Sequence, residues 1–332
     1  MGPGIRAHFA RQHGLVTFRQ ATESGLSLPR IRRLLHHGDW VRVRGGIFAD
    51  AEIWQAADEY VGRPLLRVRA AHLALIVPHW FSHDSAALLH GMRLFHRGTD
   101  FVHITRTDMR GRRSKAGIAH HGAKFDPAQG TVIDGLPVLD LPRTAVDVTR
   151  EHGVDVGLGA CDFALRQGVP RDEMSAVVDR MAGWPYVCTA REVVELADPG
   201  AENASESASR SLVLELGIGR PQTQFGLTDG GRTVWCDLRV GRHIFEFDGR
   251  VKYTPVTEGG FAEEPRAALW EEKKRQDFVC GFKLGVSRIT TVDLLSGRSA
   301  ARSRLMREYD DTTARFGTSI NDLAPYVARR IA

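Results

Sequence analysis

The stretch that most limits what this chain can fold into is WCDLRVGRHIFEFDGRVKY, residues 235–253. Two strand-like runs, 234–240 and 243–247, meet at Gly241 and Arg242, which reads as a hairpin. Acids stand where a strand core favours apolar residues: Asp237 in the first run, Glu246 in the second, Asp248 just past it. With period two, Ile244, Glu246 and Asp248 share one face while Phe245 and Phe247 take the other. Carboxylates clustered in such a hairpin are costly to bury unless something neutralises them. A hard divalent cation does so, since Mg²⁺ is held by one or two carboxylates, water and a substrate phosphate. Lys252, four residues beyond Asp248, adds a cation for a phosphate oxygen or a nucleophilic water. The alternative is plainer: Asp248-Gly249 makes a turn and Glu246 is salt-bridged across the hairpin.

A chain of 332 residues suits two or three domains with a substantial core. Its 42% hydrophobic and 26% charged content is ordinary for a globular protein. The longest apolar run, 73–77, is far too short to span a bilayer, and the first residues lack a signal-peptide core. Cys161, Cys188, Cys236 and Cys280 lie far apart, with no C-x-x-C pair, so free thiols in a reducing cytoplasm are expected.

Charge placement says more than net charge. Residues 1–50 hold eight arginines against three acids, an excess of five, which equals the +5 of the whole chain. A basic module on a neutral body points to an anionic partner, most often nucleic acid. Thr17 is placed to cap a short helix that Gly25 ends, and Ser27 a second helix with Pro29 in its first turn. Ile31, Leu34 and Leu35 form the apolar stripe of that second helix, leaving Arg30, Arg32 and Arg33 largely on its other faces. Then Trp40 to Arg44 alternates, Gly45-Gly46 turns, and Ile47-Phe48 returns, which predicts a two-stranded wing. Together these predict a winged helix-turn-helix over 1–55. Its second helix would enter a DNA major groove, and Arg42 and Arg44 of the wing would contact phosphates or a minor groove. The string GLVTFRQATESGLSLPRIRRLLHHGDWVRVRGGIFA resembles the N-terminal domain of AbiEi-type antitoxins of type IV toxin–antitoxin systems. That resemblance implies autoregulation of a promoter and a nucleotidyltransferase-like toxin as partner.

Residues 56–197 read as a mixed α/β domain: helices over 67–76, 82–92, 141–148 and 157–166, with strands over 101–106, 117–121 and 131–138. SHDSAALLHG and LPRTAVDV resemble segments of the AbiEi-like body. His79 and His83 are four apart and His120 and His121 adjacent, but a zinc site needs a third ligand, and no H-E-x-x-H is present. Structural or surface histidines are therefore expected. Arg110, Arg112, Arg113 and Lys115 read as a basic loop. The turn-rich segment 197–203 is the expected domain boundary.

Beyond it come a helix over 206–216, a strand over 222–227, the opening hairpin, a helix over 267–279 and a strand over 285–289. The strings ENASESASRSLVLELGIGRPQTQ, WCDLRV, IFEFDGRVKY and LWEEKKRQDFVCGFKLGVSRIT resemble, in order, the very-short-patch-repair endonuclease-like branch of the PD-(D/E)XK superfamily. The resemblance implies a helix-borne acid at Glu206, a central metal-binding aspartate at Asp237 and a second strand acid at Glu246. It also implies a Mg²⁺ or Mn²⁺ cofactor polarising a scissile DNA phosphate. Asp248 stands where that pattern has its lysine, leaving Lys252 or Lys273 to supply the cation.

The expected fold class is thus an α/β multidomain chain: a winged helix-turn-helix (1–55), a mixed α/β middle domain (56–197), a restriction-endonuclease-like α/β core with a central mixed sheet (198–300) and a helical extension (301–332). Two functions follow: a metal-dependent endonuclease guided to DNA by its winged helix, or a repressor and antitoxin whose nuclease fold has lost catalysis.

Overall fold

The structure, a computed structural model, describes residues 2–95, 101–248 and 265–328, with backbone alone at 265–269. Lys252 lies outside the described residues. The chain divides into two compact units, Met1–Glu151 and His152–Ala332. No described helix is long and apolar enough to cross a membrane.

The first unit opens with α1 (Pro3–Arg11), β1 (Leu15–Thr17), α2 (Phe18–Glu23), α3 (Leu28–His36), β2 (Trp40–Arg44) and β3 (Ile47–Asp50). The strands form one sheet in the order β1-β3-β2, the wing of a winged helix. Thr17 caps α2 as expected: its hydroxyl accepts from the Gln20 N–H, and the Gln20 amide accepts from the Thr17 N–H. Ser27 occupies the cap position of α3 without a side-chain hydrogen bond, and Pro29 sits in the first turn, where its missing N–H has no partner to lose. Trp40 stacks on Phe48 and meets the Phe9 edge, and Ile5, Val16, Ile31 and Leu34 close the core around them. The tight reversal between β2 and β3 needs Gly46, whose φ is +72°.

Then follow α4 (Ala51–Ala56), α5 (Gly62–Ala74), β4 (Trp80–Phe81), α6 (His83–Leu89), β5 (Val102–Arg106), β6 (Gly111–Lys115), β7 (Ile118–Gly122), β8 (Gly130–Ile133), β9 (Leu136–Leu139) and α7 (Leu141–His152). The six strands form a mixed sheet, ordered β6-β7-β5-β4-β9-β8, with β5 parallel to β7 and β4 parallel to β9. The expected single strand at 131–138 is the β8–β9 hairpin, broken by Asp134-Gly135 at positive φ. The expected basic loop at 110–115 is instead the exposed edge strand β6, where charged residues protect an open edge from pairing with another chain.

In the second unit, α8 (Val154–Arg166), α9 (Arg171–Arg180), α10 (Val187–Leu196) and α11 (Ala204–Leu214) precede β10 (Gln222–Thr228), β11 (Thr233–Val240), β12 (His243–Asp248), α12 (Pro265–Gly281), β13 (Gly285–Thr290), α13 (Thr291–Leu294), α14 (Arg298–Phe316) and β14 (Val327–Ala328). The compact division falls at 151/152 rather than at the turn-rich segment 197–203, and the packing gives the reason. Asp162 of α8 is fully buried and holds both sides of that segment: it accepts from the Asp198 N–H, from Ser207 and twice from Arg210 of α11. Helices α8 to α10 therefore belong with the C-terminal sheet.

That sheet runs β13-β12-β11-β10-β14. Strands β10, β11 and β12 form an antiparallel meander, and α12 carries the chain over to β13, which is parallel to β12. The expected order of helix, three strands, helix, strand is present. The terminal segment adds more than a helix, because β14 pairs with β10 as a further edge strand.

Candidate functional site

Two places answer to the site residues expected from sequence, and a third was not foreseen. On the winged helix, Arg30, Arg32 and Arg33 of α3 are solvent-exposed, while Ile31 and Leu34 of the same helix are buried. The apolar stripe thus anchors α3 and turns its guanidinia outward, free of a fixed protein geometry and available to phosphates. Arg42 on β2 is likewise exposed. Arg44 differs. It is half-buried and donates to the Ala116 carbonyl at 2.8 Å, so its guanidinium ties the wing to the six-stranded sheet.

In the C-terminal sheet the hairpin pairs Leu238 with Phe245, and Asp237 just before the one lies close enough to Glu246 just after the other for their charges to interact. Asp237 Oδ2 accepts the Phe247 N–H at 2.9 Å, which ties the first acid to the strand that bears the second. Glu246 is buried, and burial raises its carboxyl above the ordinary range; the Arg275 hydrogen bonds oppose this, while Asp237 and Glu272 add to it. Both of its oxygens face the Arg275 guanidinium from α12, Nη1 at 2.8 Å from Oε1 and Nη2 against Oε2. Asp248 is the last residue of β12, the Gly249 of the expected turn lies outside the described residues, and Asp248 Oδ2 meets Arg288 of β13 at 3.2 Å. Glu272 links the two guanidinia, meeting Arg275 at 3.0 Å and Arg288 at 2.7 Å.

Glu206 is placed elsewhere in its local geometry. Its carboxylate accepts from the Glu202 N–H at 2.7 Å and the Asn203 amide at 2.6 Å, closing the N-terminus of α11, with Gln224 of β10 at 3.4 Å. Glu206, Asp237 and Glu246 do not bring three ligand atoms together within 4.8 Å among the described residues. The donor chemistry of Asp237 and Glu246 suits Mg²⁺, and the positive charge a metal would contribute at Glu246 is present as the Arg275 guanidinium, which a metal would have to displace. The plain reading of Glu246 as an ion-pair partner thus matches its geometry, although the partner comes from α12 and not from across the hairpin.

The described residues do assemble one group of potential metal ligands, His83, His103 and His121, with ligand atoms all within 4.8 Å of one another. His103 on β5 and His121 on β7 face the same side of two neighbouring parallel strands, since His121 pairs with Thr105, two residues on from His103. His83 reaches them from the first turn of α6. That turn is fixed to β5 by the Ser82 N–H on the His103 carbonyl (3.1 Å) and the His103 N–H on Ser85 Oγ (2.8 Å). Burial lowers all three imidazoles, His103 and His121 to about 4. Histidine spacing along the chain directs attention to 79/83 and 120/121; only the parallel pairing of β5 and β7 reveals 103 with 121.

Comparison with known proteins bears on part of the chain. "Uncharacterized protein Rv2248" and "Uncharacterized protein MT2308" of Mycobacterium tuberculosis, strains H37Rv and CDC 1551, are each 32% identical over 93 residues, 28% of this chain and 34% of theirs. The chain therefore spans about a third of the length of the curated relatives it matches. A crystal structure of the RV2827C protein from the same organism aligns with a TM-score of 0.38 at 16% identity, covering 58% of this chain and 75% of that one. Residues 5–49, the winged helix from α1 through most of β3, match the family described as "Transcriptional regulator, AbiEi antitoxin".

Proposed function

We propose that this chain is a cytoplasmic transcriptional regulator that binds DNA through α3 and the wing, represses its own promoter and acts as the antitoxin to a nucleotidyltransferase-like toxin. The observation that carries the reading is the exposure of Arg30, Arg32 and Arg33 on the outer face of α3 within the segment matching the antitoxin family. Three guanidinia on one helix suit a duplex, where they position the protein on phosphates and reach guanine edges. In this reading the C-terminal unit keeps a restriction-endonuclease-like topology without metal chemistry, because Arg275 and Arg288 occupy the acids. Its test is binding to the DNA upstream of its own coding sequence, followed by fluorescence anisotropy. Tight, salt-dependent binding that weakens when Arg30, Arg32 and Arg33 become Ala supports it; absent or salt-independent binding refutes it.

A Mg²⁺- or Mn²⁺-dependent endonuclease is the second reading. The observation favouring it is the side-by-side placement of Asp237 and Glu246, with Asp248 Oδ1 buried and lacking a hydrogen-bond partner among the described residues. Incubating the protein with plasmid and either metal decides it. Cleavage abolished by Asp237→Ala establishes the nuclease; no cleavage, or cleavage unchanged by that substitution, removes it.

A further inference from the structure

We infer that His83, His103 and His121 form a binding site for a divalent transition-metal ion of the zinc class, separate from both sites expected from sequence. The geometry begins with His103 Nδ1 and His121 Nε2, which share a hydrogen bond at 3.1 Å whose proton a bound ion would displace. Two imidazole nitrogens on one tetrahedral Zn²⁺, at about 2.0–2.1 Å each, are about 3.3–3.4 Å apart, so this pair already approximates one edge of the coordination polyhedron. His83 supplies the third ligand. Its Nδ1 is engaged with Ser82 Oγ at 3.0 Å, which leaves Nε2 as the coordinating atom. This hydrogen bond is the outer-shell contact that fixes the tautomer of a ligating histidine.

Backbone conformation and nearby charge complete the surroundings of the cluster. His83 has φ +50°, in the left-handed region, and sits at the head of α6 directly against the cluster. Three guanidinia nearby meet two carboxylates: Arg112 pairs with Glu151, while Arg143 and Arg150 share Asp147. Asp84, next to His83, adds negative charge that both His103 and His121 feel. His83 stacks on His121, ring centroids 3.8 Å apart, so ligation by all three requires the His83 ring to turn out of the stack. His121 is half-buried and gives the ion its way in.

The test uses the untagged full-length protein, stripped with a chelator and titrated with Co²⁺ and then Zn²⁺. The site predicts one ion per chain by elemental analysis and the intense visible absorption of four-coordinate Co²⁺, displaced by Zn²⁺. His103→Gln and His121→Gln should each weaken binding by more than the roughly 10–100-fold that loss of an outer-shell partner costs. His79→Gln and His120→Gln, which alter neighbouring histidines outside the cluster, should leave it unchanged. X-ray absorption on the wild-type zinc form guards against variants that fail to fold, and should find three imidazoles on the metal. Absence of a stoichiometric ion, an ion retained by both cluster variants, or a shell with fewer than three imidazoles overturns the inference.

Discussion

Both carboxylate oxygens of Glu246 are engaged by one guanidinium, that of Arg275, so a strand acid and a helix cation close over the position where a nuclease-like reading expects a metal ion. The pair joins α12 to β12, an interior strand of the sheet. It also neutralises the acid that has Asp237 for its neighbour on β11.

Removing Arg275 should therefore cost stability in a pH-dependent way. Breaking a buried ion pair costs about 3–5 kcal/mol; with Arg275 partly exposed, Arg275→Ala is expected to cost about 2 kcal/mol or more at pH 8. The Glu246 carboxyl is raised above its ordinary 4.5 by burial, so it holds its proton more tightly folded than unfolded. Stability then falls as pH rises from the unfolded value through the raised one, and more so without the guanidinium. Urea denaturation should find the deficit of Arg275→Ala shrinking from pH 8 towards pH 5; an equal deficit at both pH values contradicts this account.

The fully buried Asp162–Arg210 pair should act as a single unit. Arg210→Met leaves the buried Asp162 carboxylate without its guanidinium, with the Ser207 hydroxyl and the Asp198 N–H remaining, and is expected to destabilise by about 3–5 kcal/mol. Adding Asp162→Leu should recover part of that loss, because no charge is then left buried. A double variant worse than the sum of the single ones in chemical denaturation contradicts the pairing.

The two wing arginines should separate by experiment. Arg44 donates to the Ala116 carbonyl, so Arg44→Ala should lower stability by about 1 kcal/mol and change DNA affinity little. Arg42→Ala, at an exposed position, should do the reverse. Paired thermal melts and anisotropy titrations distinguish them.

Thr17→Ala removes one half of the α2 capping box and should cost about 1 kcal/mol, measurable by urea denaturation.

The winged helix was legible in the sequence because its signals are local: Thr17, Pro29 and Gly46 each fix a cap or turn within a few residues. The 235–248 hairpin was legible for the same reason, since alternation and Gly241 set its register. What sequence withheld depends on partners far along the chain. Nothing near Glu246 announces Arg275, 29 residues on. The division at 151/152 rests on Asp162 reaching Arg210 across 48 residues, whereas a polar turn segment reads as a boundary whether or not it is packed. The histidine cluster likewise needs β5 and β7 to pair in parallel before His103 and His121 meet.

The central claim is that the arginines of α3 place this chain on DNA. Its most direct test is the affinity for the DNA upstream of its own coding sequence, measured across a salt series for the wild type and for the Arg30→Ala/Arg32→Ala/Arg33→Ala variant. If all three guanidinia contact phosphates, the variant should bind more weakly, and its slope of log K against log salt should be shallower by about 3. An affinity and a slope both unchanged by the three substitutions would contradict the account.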